Sequence, residues 1–290
     1  MKSKKRVLHS ERLTKIKRSR RKIFAKKFFL LFFLIVAALI GFIFLFRWNE
    51  SNISDIQISG NKVVETKSVE EIVRQDLSGD YLWILPKTNF LFYPARKIKS
   101  DLMQKLKRIE NISLSVENIK TLKINLSERS PLYTYCGEIL ADSGNGQEKC
   151  YFMDGSGYIF DEAPYFSGNV YLKFYGKTNE AGIDPLGYYY FGSNFDKLIA
   201  FKDNLVKLGL SPAIFNVLDN GDMEVYLASR IKSQLGPKII FKSDADLDQI
   251  TENLQSVLST EPFQSDFNKK YDSLLYIDLR FGNKVYYKFK

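Results

Sequence analysis

The sequence predicts an α+β protein: a single transmembrane helix, a small domain in which strands and helices alternate, and a larger, mainly antiparallel β-domain with helices packed on it. Three features of the 290-residue chain lead to this prediction. A charge-free apolar run lies near the N-terminus. Beyond it, some segments repeat apolar residues at helical spacing, and others alternate them strictly with polar residues. Alternating segments dominate the second half.

The apolar run, FFLLFFLIVAALIGFIFLF at residues 28–46, contains nineteen residues without a charge. As a helix it would be about 28 Å long, close to the ~30 Å hydrocarbon core of a bilayer. A cleaved signal peptide is the alternative, but its apolar region is usually shorter and ends at small residues. Arg47 and Trp48 follow this run instead. We therefore expect an uncleaved anchor.

Basic residues are concentrated before the anchor, in residues 1–27. This tail carries thirteen Lys and Arg and one Glu, so its net charge is +12. The whole chain has a net charge of +10, so the rest of the chain has a net charge of −2. Such a tail predicts that residues 1–27 are cytoplasmic and that the chain after residue 46 lies outside the cytoplasm. We expect the tail to be disordered and close to the membrane. Its charge gives no basis for a nucleic-acid-binding face on the exported part.

Residues 53–129 are predicted to form the small domain. The segment ISDIQISG alternates as a strand, and Ser68 to Glu71 read as a capping box that opens a helix. The run YLWIL predicts a short strand, and Pro94 suits the first turn of a second helix. Two alternating runs, NISLSVENI and LKINLSER, then predict a hairpin. The predicted order is β-α-β-α-β-β.

Residues 130–290 are predicted to form the β-domain, which begins near Pro131. Short aromatic-rich strands separated by Gly, Asn and Asp turns come first, and helical spacing then predicts a helix over about 194–208. A hairpin, a further strand and a helix opened by Ser243 or Asp244 follow. The last segment, YIDLRFGNKVYYKFK, alternates on both sides of Gly-Asn and predicts a terminal hairpin.

The outer edge of that terminal strand is expected to be open. Unpaired N–H and C=O groups on an edge strand invite another chain, and proteins usually suppress such edges. Two interpretations follow. A partner adds a strand there, or the charges of Lys284, Lys288 and Lys290 simply protect the edge against aggregation.

The two cysteines, Cys136 and Cys150, both lie in the predicted exported part, with turn residues between them. If the segment is a hairpin, they could face each other and form a disulfide; two buried free thiols are the alternative. Neither a metal site nor a cofactor is predicted, because two thiols without an exported histidine fall short of four metal ligands.

No catalytic pattern is present. The one histidine, His9, lies in the tail, so a Ser–His–Asp or Cys–His site has no base in the exported part. The run DGSG at residues 154–157 could be a phosphate loop, but it lies between two strands and is better explained as a hairpin turn. We therefore expect a protein that is not an enzyme.

Four segments together resemble the FtsQ/DivIB cell-division family. ISDIQISGNKVVETKSVEEIV is similar to the opening of its POTRA domain, and LSERSP resembles the E-R-x-P signature after that domain. YFMDGSGYIFDEAP is similar to its D-x-x-G hairpin, and YIDLRFGNKVYY to its closing strand. The match covers residues 28–290. One departure is Ile119-Lys120-Thr121, which stands where the family often has Trp-Pro.

The resemblance implies a divisome scaffold in the cytoplasmic membrane at the division septum, which helps to control septal peptidoglycan synthesis. Its implied partners are FtsB/DivIC-like and FtsL-like proteins, bound by strand addition beside the last strand. The implied partner-binding residues are Arg280, Phe281, Val285, Tyr286, Tyr287, Lys288 and Phe289. At the junction between the domains, Glu128, Arg129 and Pro131 are expected to fix the angle between them.

Two other functions compete with this interpretation. A POTRA-bearing component of a secretion or outer-envelope assembly system would share the small domain, but such proteins normally carry tandem POTRA repeats or a barrel. A membrane-anchored wall hydrolase would need the catalytic set that the sequence lacks.

Overall fold

The computed structural model describes residues 11–47, 49–140, 148–166, 170–178, 184–230 and 235–290. Within them, contacts divide the chain into two compact units. The first comprises the described parts of Met1–Asn61, Glu65–Leu102 and Ile112–Leu126. The second comprises the described parts of Lys62–Val64, Met103–Asn111 and Ser127–Lys290. The chain is of the mixed α+β class, as predicted.

Helix α1 (Glu11–Phe46) contains the predicted anchor. Its segment Lys22–Phe44 is long and apolar enough to cross a membrane, and none of it is buried by the rest of the protein. The expectation of a disordered tail is wrong for residues 11–27, which continue the same helix. Lys, Arg and Leu are good helix formers, and a helix already nucleated by the apolar run extends at little cost.

The remaining elements of the first half are short. They are β1 (Asp55–Ser59), α2 (Thr66–Leu77), β2 (Asp80–Tyr81), β3 (Leu85–Pro86), α3 (Ala95–Lys105), β4 (Ile109–Glu117) and β5 (Thr121–Glu128). β1, β5 and β4 form a sheet in that order, with β1 parallel to β5. Leu122 and Ile124 of β5 and Val69 and Val73 of α2 are fully buried, which indicates that alternate strand residues and one helix stripe form this core.

Two local predictions for this half were wrong. The run YLWIL is not one strand: its ends, Tyr81 and Leu85, lie in β2 and β3, which form a separate two-stranded ribbon around the turn Leu82-Trp83-Ile84. Ser68 does not cap α2, which begins two residues earlier, at Thr66, without a side-chain cap at Glu65. The chain before α2 is held instead by a distant carboxylate, as described below.

The second half contains a nine-stranded sheet in the order β14-β13-β12-β11-β10-β9-β6-β7-β8. Its strands are β6 (Tyr133–Tyr135), β7 (Cys150–Met153), β8 (Ile159–Ala163), β9 (Leu172–Tyr175), β10 (Pro212–Val217), β11 (Asp222–Leu227), β12 (Lys238–Lys242), β13 (Leu274–Phe281) and β14 (Lys284–Phe289). Five neighbouring pairs are antiparallel and three are parallel. The sheet is therefore mixed and mainly antiparallel, as predicted.

Three helices cover one face of this sheet: α4 (Phe195–Lys207), α5 (Leu247–Leu258) and α6 (Phe263–Lys270). Buried residues of the helices and of alternate strand positions form one core. Phe201 of α4, for example, packs edge-on against Phe241 of β12, with ring centroids 5.1 Å apart. α6 was not predicted, although Phe263, Phe267 and Tyr271 recur at helical spacing.

The DGSG run is a hairpin turn between β7 and β8, as the sequence predicted. One carboxylate oxygen of Asp154 accepts hydrogen bonds from the N–H of Ser156 at 2.9 Å and of Tyr158 at 3.1 Å. Gly157 has φ of +81°, and a Cβ there would meet the ring of Phe195 at 2.8 Å. The turn therefore requires both Asp154 and Gly157.

Cys136 and Cys150 form a disulfide. Cys136 directly follows β6, and Cys150 is the first residue of β7. These two strands pair, with Tyr135 of β6 opposite Tyr151 of β7. The residues between them include 141–147, which lie outside the described part of the chain.

We expect the double substitution Cys136→Ser/Cys150→Ser to lower the free energy of unfolding by about 3 kcal/mol, because the bridge closes a loop of roughly fifteen residues in the unfolded chain. Urea denaturation of the detergent-solubilised protein measures this. Adding a reductant should destabilise the parent protein by a similar amount and leave the double variant unchanged.

Candidate partner-binding edge

β14 is a terminal strand of the nine-stranded sheet. It pairs antiparallel with β13, and Ile277 lies opposite Tyr287. Among the described residues no strand lies on its other side. An edge of this kind is the surface that the sequence analysis predicted.

The opposite end of the sheet, at β8, is partly covered. The N–H of Gly187 donates to the carbonyl of Ile159 at 2.7 Å, and the N–H of Ile159 donates to the carbonyl of Tyr188 at 2.9 Å. A short segment of the chain therefore pairs with the start of β8. The edge at β8 is therefore partly paired, whereas the edge at β14 is open within the described residues.

The N–H groups of β14 that face outward can be assigned. The N–H of Lys290 donates to the carbonyl of Ser273 at 2.7 Å, so it points toward β13. N–H directions alternate along an antiparallel strand, and both register shifts in this hairpin place the extra residue on β13. Val285, Tyr287 and Phe289 therefore direct their N–H groups away from the sheet.

The side chains of β14 alternate between two faces. Val285 and Phe289 pack against the core under the helices, and the ring of Tyr287 lies 4.6 Å from that of Phe263 in α6. Tyr286 lies on the other face, half exposed, with its ring 5.3 Å from that of Phe281. Tyr286 and Tyr287 therefore point to opposite faces of the sheet, which is consistent with the alternation in the terminal segment of the sequence.

The three lysines of this segment, Lys284, Lys288 and Lys290, are exposed. They flank the open edge with positive charge. Both interpretations of the lysines remain compatible with this arrangement, since a charge that discourages self-association also favours an acidic strand.

Arg280 is bound within the protein. Its guanidinium makes a two-pronged contact with Asp278, at 2.9 Å and 2.6 Å, and a third bond to Asp222 at 2.7 Å. Both carboxylates are buried. Hydrogen bonds to Asp278 and Asp222 raise the pKa of Arg280 despite its partial burial. Its predicted contact with a partner stays a prediction, but its first role is to hold these two carboxylates.

Asp222 completes a row of charges across three strands. Lys242 of β12 lies opposite Asp222 of β11, and its ammonium is 2.6 Å from the carboxylate. The hydrogen bond from Lys242 lowers the pKa of Asp222, burial opposes this, and the bond from Arg280 adds to it. Neither Asp222 nor Asp278 was predicted to be a site residue. The sequence could have indicated the ion pair of Asp278, because residues two apart on a strand share a face and Arg280 lies two residues after Asp278.

We expect Arg280→Ala to lower the free energy of unfolding by about 3 kcal/mol, because it leaves Asp278 buried without its cation. Lys284→Ala, an exposed lysine in the same hairpin, should have little effect and is the matched control. Urea denaturation compares them. If Arg280→Ala were as stable as the control, Arg280 would not support the fold, and its side chain would be available to a partner.

A second cluster surrounds the E-R-x-P motif and lies within the second unit. One carboxylate oxygen of Glu128 accepts hydrogen bonds from three successive backbone N–H groups, those of Lys62 at 2.6 Å, Val63 at 2.9 Å and Val64 at 2.9 Å. Burial alone would raise the pKa of Glu128. The three N–H bonds outweigh it, and the pKa lies below its ordinary value.

Arg129 makes local contacts of a different kind. Its guanidinium pairs with the Asp154 carboxylate and lies 4.0 Å from the centre of the Tyr158 ring, and its own N–H donates to the carbonyl of Arg108 at 2.8 Å. Its side chain is largely buried. Arg129 therefore makes both ionic and backbone contacts within the second unit. Pro131 precedes β6, and the angle between the domains stays a prediction.

We expect Glu128→Gln to lower the free energy of unfolding at neutral pH by about 1–3 kcal/mol, since hydrogen bonds to a charged acceptor are lost or weakened. A carboxyl whose folded pKa is depressed stabilises the protein above its ordinary pKa of 4.5 and loses that contribution as pH falls through the folded value. The difference between parent and variant should therefore shrink in acid.

Denaturation at a series of pH values tests this. Glu65→Gln is the matched control, because Glu65 is exposed and its side chain caps nothing at the start of α2. A difference between parent and Glu128→Gln that stayed constant with pH would contradict the role of the charge.

Cys136, Glu148 and Cys150 bring three potential metal-ligand atoms within 4.8 Å of one another. The two sulfurs are bonded to each other and offer no thiolate. Glu148 is engaged by Lys173 at 2.6 Å and by the hydroxyl of Tyr175. The arrangement therefore does not support a metal site.

Comparison of the chain with protein-family models gave no match, and comparison with curated proteins gave none either.

Proposed function

We propose that this chain is a non-catalytic scaffold of the bacterial divisome, of the FtsQ/DivIB type, that binds FtsB/DivIC-like and FtsL-like partners outside the cytoplasm. In this role it helps to control septal peptidoglycan synthesis. The observation that carries the proposal is the open edge of β14, where Val285, Tyr287 and Phe289 present outward N–H groups.

The first half of the chain supports the same proposal. Its three-stranded sheet in the order β1-β5-β4 has two helices between β1 and β4 in the sequence, the order we expect of a POTRA domain. Helix α1 supports a single-pass protein of the cytoplasmic membrane. The tail's thirteen basic residues support a cytoplasmic N-terminus, and the proposed site of action is the division septum.

The edge favours a particular kind of partner segment. Main-chain hydrogen bonds to an added strand would set its register, and pockets beside alternate side chains would set its specificity. On one face the added strand would meet Tyr287 beside Phe263, and on the other it would meet the exposed pair Phe281 and Tyr286. Apolar residues at alternate positions, with acidic residues facing Lys284 and Lys288, would fit this surface.

We expect Tyr287→Pro to weaken partner binding strongly, because proline removes an outward N–H and its ring obstructs an incoming strand, while an edge strand tolerates it. Tyr287→Ala is the matched control, since it removes the same ring and keeps the N–H. Pull-down with the exported segment of the FtsB/DivIC-like protein measures binding, and circular dichroism checks the fold.

Truncation after Asn283 is the stronger form of the same test and should abolish binding. If the folded proline variant and the folded truncation both bound the partner as well as the parent does, strand addition at β14 would be wrong. Equal losses in Tyr287→Pro and Tyr287→Ala would assign the binding to the ring rather than to the backbone edge.

A further inference from the structure

An apolar tip projects from the small ribbon formed by β2 and β3. Its turn residues Leu82 and Trp83 are 86% and 91% exposed, more than any other large apolar residue outside α1 among those described. Ile84 beside them and Leu91 shortly after the ribbon are exposed as well. Contiguous exposed apolar residues of this kind mark a surface that contacts something else.

The backbone of this turn is strained. The N–H of Ile84 donates to the carbonyl of Tyr81 at 3.0 Å, and the two central residues, Leu82 and Trp83, have φ of +49° and +63°. Two positive φ values in such a turn favour Asn-Gly, whereas bulky residues rarely adopt them. Turn geometry therefore does not explain why Leu and Trp stand here, and strain of this kind marks functional segments.

The ribbon lies beside the end of the membrane-spanning helix. The guanidinium of Arg47, one residue after α1, is 3.5 Å from the carboxylate of Asp80 in β2. The chain that leaves the helix then bonds to the chain that follows β3. Ile53 donates to the carbonyl of Thr88 at 2.8 Å, and Phe90 donates to that of Ser51 at 3.2 Å.

The tip is within reach of the bilayer surface. Trp83 follows Asp80 by three residues, a span of about 10 Å in an extended strand. Each interfacial region of a bilayer is about 5–8 Å thick beyond the hydrocarbon core. At the base of the ribbon, the Lys87 ammonium lies 6.0 Å from the centre of the Tyr81 ring. Tyr, Trp and Lys are the residues that favour this interface.

From these observations we infer that the β2–β3 tip inserts Leu82 and Trp83 into the lipid interface next to α1, as a second, monotopic membrane contact. The occupant is the bilayer itself and not a protein. The inference requires only that α1 spans the membrane, and it is independent of the proposed partner and of the orientation of the chain. Its consequence is that the first unit contacts the membrane at two points, through α1 and through the β2–β3 tip.

The full-length protein in nanodiscs of phosphatidylcholine tests this. The chain has two tryptophans, so Trp48→Phe leaves Trp83 as the single tryptophan, whose emission is selected over that of the tyrosines by excitation at the red edge of the absorption band. We expect a blue-shifted emission, loss of most of the intensity when the lipids carry bromine near the top of the acyl chains, weaker loss with bromine near the chain ends, and protection from iodide in the aqueous phase.

Two variants in the same Trp48→Phe background act as controls. Leu82→Asn suits a positive φ and keeps Trp83 but removes the neighbouring apolar group, so brominated lipid should quench it less. Leu82→Asn/Trp83→Gly restores the favoured turn residues and should leave the circular dichroism unchanged, which shows that the tip is not needed for folding.

An emission maximum typical of water, quenching by iodide and no quenching by brominated lipid would overturn the inference. Protection of Trp83 that appeared only in native membranes, and not in nanodiscs containing lipid alone, would also overturn it and would assign the tip to a protein partner.

Discussion

The salt-bridge row of Asp222, Lys242 and Arg280 fixes the end of the nine-stranded sheet. Asp222 and Asp278 are buried, and a buried carboxylate without a cation destabilises a protein strongly. Arg280 satisfies both of them, so it ties β13 to β11 across the intervening strand. β14 pairs with β13, so its open edge belongs to a part of the sheet that these ion pairs stabilise. An edge already ordered before binding loses less entropy when a partner strand arrives.

The same requirement, that buried polar groups find partners, organises the E-R-x-P and D-x-x-G motifs. Glu128 accepts hydrogen bonds from three successive backbone N–H groups, and Asp154 binds the backbone of its own turn and the Arg129 guanidinium. These motifs are far apart in the sequence but meet through Arg129 and Asp154. Their charged side chains bind backbone N–H groups and one another, as buried polar groups usually do.

The repeating patterns of the sequence predicted most of the fold. Period-two alternation located the terminal hairpin and the strands around DGSG, and the apolar run located α1. The start of α2 was missed because its preceding turn is held by Glu128, sixty-odd residues away in the sequence, and no local pattern contains that information. α6 was missed because it is short and polar apart from one apolar stripe. Strand order was not predicted, since alternation gives the faces of a strand and not its neighbours.

The open edge was predicted and the apolar tip was not, for a physical reason. The terminal hairpin can be recognised from its alternation, and its last strand is then a candidate edge. The run YLWIL, in contrast, is equally apolar whether it forms a buried strand or an exposed turn. Only the positive φ values of Leu82 and Trp83 distinguish these two structures. Both features differ from what is usual in soluble monomeric proteins, in which sheet edges are protected and turns with two positive φ values use Asn and Gly. A sequence that breaks local rules at few places, and keeps them elsewhere, points to surroundings that compensate. For β14 the compensating element that we propose is a partner strand, and for Leu82 and Trp83 it is lipid.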